Sequence, residues 1–273
     1  MPTDNLISTI NNRLKFLTQD IHPEILKEAI LYALFPGGKR LRPLLVITTA
    51  GAYGAEVNAS LDTACAIELI HTYSLIHDDL PSLDNDDFRR GRPSLHCQYS
   101  EGLALLCGDL LLTMAFDIIA NLQNVSDQKK IQIVKILSLH SGSRGLVGGQ
   151  VMDLDPQFKN LYEEISLLKT ASLISCSLQC GAEIGDAPKQ DQKLLQEIGS
   201  TLGIIYQLLD DLADEDPIPY SAEKALAYLD SLFENAHISL NKLSVNNCFL
   251  FDFYSMCSEK KKSLLITQKN FKL

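Results

Sequence analysis

Glycine and proline are sparse in this chain, at 15 and 10 of 273 residues. That disfavours a fold built from many tight turns and favours long regular elements. No stretch alternates apolar and polar residues between hairpin turns, so no antiparallel sheet is expected. Basic residues are outnumbered, 24 against 34 acidic, for a formal charge of −10. A nucleic-acid partner would find no general electrostatic footprint, and an anionic membrane surface would repel the bulk of the protein. The seven cysteines are odd in number and include no C-x-x-C. They read as small core residues in a reducing compartment rather than a disulfide framework. No apolar run is taken to reach transmembrane length. The opening MPTDNLISTINNRLK has an acid and amides where a signal peptide has its apolar core. A soluble cytoplasmic protein with no membrane span and no nucleic-acid partner is expected.

What is present is helical periodicity. Residues 4–20 place Leu6, Ile7, Ile10, Leu14 and Leu17 on one stripe, and residues 190–212 do the same with Leu194, Leu195, Ile198, Leu202, Ile205, Leu208, Leu209 and Leu212. Similar patterns cover roughly 23–35, 40–53, 61–78, 99–121, 127–141, 160–185 and 221–242. The connections are short, and 46% of the residues are apolar. The economical architecture is all-α: one domain over 1–273, a bundle of many antiparallel helices. Residues 244–273 have mixed character and are left without an assigned structure; their Lys260–Lys262 run reads as a solvated face.

The stretch HDDLPSLDNDD ends an apolar helical segment in five aspartates, Asp78, Asp79, Asp84, Asp86 and Asp87. Carboxylates with reference pKa values near ~3.9 are ionised at neutral pH. Crowding them calls for a cation, a basic partner or protonation. An isolated acidic turn is usually a solvated surface. An EF-hand loop fits badly, because no glycine takes the sixth position and no glutamate closes the loop. A second cluster, QLLDDLADED, carries Asp210, Asp211 and Asp214 at the end of another apolar helix. Asp210 and Asp214, four residues apart, lie on one helix face. Two such clusters suggest a shared mouth of a helical bundle. There hard cations such as Mg2+ would bind through carboxylates, waters and substrate phosphates.

Cations gather in two places, Lys39, Arg40 and Arg42 in PGGKRLRP and Arg89, Arg90 and Arg92 in RRGR. Arginine forks and lysine ammoniums suit phosphate oxygens. Gly37 and Gly38 would let backbone N–H groups approach an anion, although Gly-Gly after a helix is more often a C-cap and turn.

With these motifs in order, the chain resembles the trans-polyprenyl diphosphate synthase family, particularly its bacterial farnesyl diphosphate synthase branch. HDDLPSLDNDDFRRG resembles the first aspartate-rich motif in its DDxxxxD form, and DDLAD resembles the second, DDxxD. GGKRLRP, GGQVMDLD and the Lys169–Thr170 pair match further landmarks. The resemblance implies the all-α isoprenoid synthase fold around a central cavity, usually as a homodimer. It implies head-to-tail condensation of isopentenyl diphosphate with an allylic diphosphate, dimethylallyl or geranyl, to farnesyl diphosphate. Two or three Mg2+ ions would be held by Asp78, Asp79, Asp84, Asp210 and Asp214. Arg89, Lys169 and Gln207 would contact the allylic diphosphate, and Thr170 would lie near the developing cation. Gly38, Lys39, Arg42, His71 and Arg90 would hold isopentenyl diphosphate. Gln150 and Asp153 match a motif near the site.

The resemblance also implies a chain-length role for Tyr73, with the small Ser74 beside it. Tyr73 lies five residues before Asp78, about 7.5 Å along the helix axis. Its direction is roughly 140° away, so helix geometry alone does not aim it into a cavity. Core packing and a floor under the growing product are both open.

The chain departs from the family after Asp214. Only EDPIPY precedes the next helix, and the family's Gly-Lys lid is missing. Alternatives therefore stand beside the farnesyl reading: a geranylgeranyl diphosphate synthase, a weakly active or non-catalytic prenyl-synthase-like subunit, and a terpene cyclase. GGKRLRP argues against the last, and retention of both aspartate motifs argues against a pure binding module.

Overall fold

The computed structural model describes residues 3–35, 37–214 and 218–270. About three quarters of them are helical, in agreement with the periodicity. They pack as two compact units, Met1–Ile47 with Glu56–Val134, and Thr48–Ala55 with Lys135–Leu273.

The first unit contains α1 (Thr3–Leu17), α2 (Glu24–Leu34) and the start of α3 (Leu41–Ala52). It continues through α4 (Val57–Asp78), β1 (Phe88–Arg89), β2 (Arg92–Pro93), α5 (Leu95–Gln98), α6 (Glu101–Ala120) and the start of α7 (Asp127–Ser141). Helix α4 is its axis. Leu61, Ala64, Ile67, Leu69, Ile70, Tyr73 and Ile76 are all buried. A helix apolar on every side belongs in a core. Helix α6 packs along it. A Cβ on Gly108 would stand 2.0 Å from His77 Nε2, so only glycine lets α6 accept that ring. By length and composition alone α6 is apolar enough to cross a membrane, a test that a buried core helix passes equally well. Here α6 is a packed helix of the first unit, with Cys107, Leu111, Ala115 and Ile119 buried.

Burial also reaches charge. Arg40, in the left-handed region at φ 51, donates to Glu68 Oε1 at 2.7 Å, and both side chains are almost fully enclosed. Arg40 donates further to Asn11 Oδ1 and the Leu34 carbonyl. One of the three cations in PGGKRLRP is thus consumed by the fold.

The β-hairpin was not expected. Its strands have two residues each, too short to show a period of two, paired Phe88 with Pro93 and Arg89 with Arg92. Arg90 and Gly91 at its tip both have positive φ, 55 and 74. That double left-handed turn matches the natural twist of a two-residue hairpin.

The second unit contains the ends of α3 and α7, then α8 (Leu146–Leu154), α9 (Tyr162–Ser166), α10 (Ser172–Ile184), α11 (Lys189–Asp214), α12 (Ala222–Leu240) and α13 (Cys248–Asn270). The predicted helix over 160–185 is interrupted by a π-turn at Leu167–Ala171. Helix α11 buries Leu195, Ile198, Leu202, Ile205, Leu208 and Leu209 of the predicted stripe and leaves Leu194 and Leu212 half-buried. Residues 244–273, unassigned from sequence, include α13, which buries Leu250, Phe253 and Cys257 at helical spacing.

Candidate active site

In the first unit, Pro81 follows the end of α4, and the chain folds back on the helix terminus. Asp84 N–H donates to the Asp78 carbonyl at 2.9 Å, Asn85 N–H to Leu80 at 3.1 Å and Asp86 N–H to Asp79 at 3.2 Å. The return, with Asn85 at φ 55, brings Asp84 back beside Asp78 despite a spacing of six residues. Asp78 is half-buried, Asp79 buried and Asp84 exposed. Arg89, on β1, donates from Nε to Asp79 Oδ1 at 2.9 Å and from Nη2 to the same oxygen, and to Asp86 Oδ2 at 3.0 Å. Burial holds the Asp79 carboxyl above its ordinary value, against the opposing pull of Arg89. Asp86, which had no sequence role, is a second partner of that guanidinium.

The basic residues gather on the same unit. Arg42 Nη1 lies 3.5 Å from His71 Nε2. Burial first, and then the charges of Arg42, Arg90, Arg40 and Arg89, push the His71 imidazole well below its ordinary value. His71 is therefore neutral at physiological pH, surrounded by fixed positive charge. Burial, with Arg40 and Arg89 nearby, also lowers the Arg90 guanidinium, against the pull of Glu68. Arg90 reaches over Gly38, where a Cβ would fall 2.9 Å from its Nη2. Lys39 is exposed. A narrow cavity of about 50 Å³ is lined by Gly37, Thr72, Ile76, Asp79, Arg89 and Arg90, among others. Arg92 instead stacks on Tyr32, 3.9 Å from the ring centroid, and donates to the Phe35 carbonyl. Tyr73 turns its ring toward His77, with centroids 5.8 Å apart. Burial and the Asp78 charge push its phenol up to about 12. Ser74 donates back to the His71 carbonyl.

In the second unit, a cleft of about 410 Å³ is lined by Asp153, Tyr162, Lys169, Thr170, Gln207 and Asp211, among others. The π-turn carries Lys169 and Thr170, and two glycines make room for it. A Cβ on Gly149 of α8 would stand 2.4 Å from Lys169 N, and one on Gly203 of α11 would stand 2.3 Å from Ala171 Cα. Such widened turns recur at functional sites because they re-aim side chains that a regular helix would stack. Lys169 Nζ donates to Asp153 Oδ2 at 2.6 Å. Thr170 Oγ1 donates to Gln207 Oε1 at 2.6 Å, and Gln207 Nε2 to Asp211 Oδ1 at 2.6 Å. Tyr162 donates its hydroxyl to Asp211 Oδ2. Burial and that bond hold the Tyr162 phenol far above its ordinary value, so it stays a donor.

The three aspartates of DDLAD separate. Asp211 joins Gln207 in the cleft, Asp214 is exposed at the helix end, and Asp210 accepts from Lys260 of α13. Asp211 was seen in sequence but given no role, and Tyr162 gave no signal. The sequence pattern predicts a solvated face for Lys260–Lys262. Lys260 and Lys261 instead pair with Asp210 and Asp230, because α13 packs beside α11 and α12 and turns that face inward. Residues 215–217, where the family's lid would begin, lie outside the described residues. Beyond them Tyr220 donates to Glu163 Oε1 at 2.9 Å, and its ring packs edge-on to Tyr162 at 5.7 Å.

Both acidic clusters stand at helix C-termini, where the backbone dipole is negative. Carboxylates there are unfavourable without a cation. Arg89 and Lys260 partly meet that need, and carboxylate oxygens in general suit a hard divalent ion better than a soft one.

The chain matches the family described as Polyprenyl synthetase over residues 23–228. It is 42% identical over 213 residues to a farnesyl diphosphate synthase of Bacillus subtilis, covering 76% of this chain and 72% of that one. A farnesyl diphosphate synthase of Micrococcus luteus is 37% identical over 251 residues, 90% and 86% of the two chains. The crystal structure of a geranyltransferase from Legionella pneumophila superposes with a TM-score of 0.86 at 28% identity, covering 96% of each chain. The match spans the DDxxxxD fold-back, the arginine hairpin, the π-turn and DDxxD alike, and on that basis the chain belongs to the polyprenyl synthetase family.

Proposed function

We propose that the protein is a prenyltransferase that joins isopentenyl diphosphate to dimethylallyl or geranyl diphosphate and makes farnesyl diphosphate. The observation that carries this reading is the guanidinium cluster around neutral His71, beside the aspartate fold-back. Next to it Arg89, Arg90 and Arg92 line one small cavity, and arginine forks of this kind suit the oxygens of an anionic diphosphate. Gly38, Lys39, Arg42, His71 and Arg90 hold isopentenyl diphosphate. Arg89, Lys169 and Gln207 contact the allylic diphosphate. Asp78, Asp79 and Asp84, with Asp210 and Asp214, are the residues that would hold Mg2+. When bound, Mg2+ neutralises the charge that grows on the departing diphosphate.

The carbon–oxygen bond of the allylic substrate breaks, leaving an allylic cation and free diphosphate. The alkene of isopentenyl diphosphate attacks the cation, and the released diphosphate takes the proton lost from the adduct. The arginines and Lys169 stabilise the leaving group as preorganised charge. Thr170, its hydroxyl committed to Gln207, presents its oxygen lone pairs to the cation. An apolar surround would exclude water that would quench it.

The exposed Leu105 and Leu106 on α6 support pairing of two copies into a homodimer. Free, mostly buried thiols support a cytoplasmic location. The test is incubation of the purified chain with Mg2+, isopentenyl diphosphate and each allylic diphosphate, with identification of the product. A fifteen-carbon diphosphate is expected. D78A and D210A should each lower turnover at least ~100-fold, the scale of losing a principal electrostatic contact. Near-normal rates in either variant overturn the assignment of metal to both clusters.

A further inference from the structure

At the base of the arginine hairpin, Asp87, His96 and Cys97 bring one ligand atom each within 4.8 Å of the others. None has a part in the proposed reaction. Cys97 Sγ lies 3.5 Å from Asp87 Oδ1 and 3.3 Å from His96 Nε2. For a zinc ion at ordinary bond lengths of about 2.3 Å to sulfur and about 2.0 Å to nitrogen or oxygen, the tetrahedral edges are about 3.6 Å. The two separations therefore already approximate two edges of one coordination tetrahedron.

The orientation of the ligands is also set. Ser94 Oγ lies 3.0 Å from His96 Nδ1. Ser94 is the N-cap of α5, yet its side chain makes no capping bond, so its hydroxyl is available to the imidazole. With Nδ1–H donating to Ser94, Nε2 carries the lone pair and points at Cys97. That is the usual second partner of a metal-bound histidine. Asp87 is held from the other side, because its carbonyl accepts Ser94 N–H at 2.9 Å. Asp87 and Cys97 are exposed and His96 half-buried, so a fourth coordination position would be open to solvent.

We propose that Asp87, His96 and Cys97 form a binding site for a thiophilic divalent cation, Zn2+, separate from the magnesium-type aspartates. One thiolate and one imidazole select Zn2+ over Mg2+, which prefers oxygen alone. Binding forms the Zn–S bond at the expense of the Cys97 S–H bond, and that proton passes to solvent. The ion ties β1 to α5 across the hairpin that carries Arg89 and Arg90, and so acts as a staple on the arginine turn. This inference does not depend on the prenyl-transfer reading.

The experiment uses the full chain, stripped with a chelator that is then removed, and Co2+ as a spectroscopic probe. One equivalent of Co2+ should give tetrahedral d–d bands and a thiolate-to-cobalt charge-transfer band. Zn2+ should displace it, and should raise the melting temperature of the stripped protein. C97S should abolish the charge-transfer band, and H96A should weaken binding at least ~100-fold. S94A should weaken it ~10–100-fold, the range for second partners of metal ligands. C248S, which removes another exposed thiol, and D78A should leave the spectrum unchanged. Circular dichroism of metal-free C97S and H96A controls for folding. A charge-transfer band that survives in C97S, or cobalt binding lost in D78A but not in H96A, overturns the proposal. So does the absence of a one-to-one complex in a folded wild-type chain.

Discussion

Replacing Arg40 with methionine separates what the sequence presents as one basic cluster. Lys39, Arg40 and Arg42 look alike as phosphate ligands, yet Arg40 is turned inward on Glu68, with side-chain exposures of 1% and 3%. R40M leaves a carboxylate buried on α4 without its partner and strips donors from the Leu34 carbonyl and Asn11. Removing one member of a buried pair costs about 3–5 kcal/mol, most of it the penalty of the charge left behind. The double variant R40M/E68M removes that charge and should recover most of the loss, because well-packed apolar replacements of buried pairs are often neutral. The assay is urea unfolding with linear extrapolation, beside steady-state kinetics. R42Q should raise the KM for isopentenyl diphosphate far more than it moves the unfolding midpoint. A cost below ~1 kcal/mol for R40M, or a double variant no more stable than the single one, would refute the reasoning. It would mean that Glu68 is relieved by another group.

Y73A should lengthen the product beyond fifteen carbons if the Tyr73 ring limits growth; an unchanged chain-length distribution would leave Tyr73 as core packing against His77. K260M should lower the Mg2+ concentration for half-maximal activity by up to about fivefold, because the ammonium on Asp210 must yield to a metal and a part-exposed pair is worth up to ~1 kcal/mol. An unchanged or higher requirement would remove Lys260 from that competition. His140 is buried between Ser172 and Gln179, and burial lowers its imidazole from 6.5 to about 4. The unfolded chain then takes up the proton first, so this stability is complete above about pH 6.5 and is lost as the pH falls toward 4. Between pH 7 and 5 wild type should lose about 2 kcal/mol more than H140Q. Parallel pH profiles for the two proteins would contradict it.

The long helices were legible because each buries a stripe deep enough to impose a period. Helices α4 and α11 start and stop within a few residues of the expected bounds. Family membership was legible for a related reason: crowding charge at a helix end is costly, so such motifs stand out from composition. What stayed hidden depends on partners distant in sequence or on conformations too short to carry a pattern. The arginine hairpin rests on two left-handed residues and two-residue strands. The π-turn under Lys169 and Thr170 rests on Gly149, 20 residues before Lys169, and Gly203, 32 residues after Ala171, and both are ordinary helix positions by themselves. Helix α13 reads as mixed because one of its faces answers to charges on other helices, Asp210 and Asp230. A solvated lysine run and one paired across an interface have the same sequence. Only the register of α13, set by Leu250, Phe253 and Cys257 sinking into the second unit, decides which it is. That register aims one ammonium at Asp210 of the second aspartate motif.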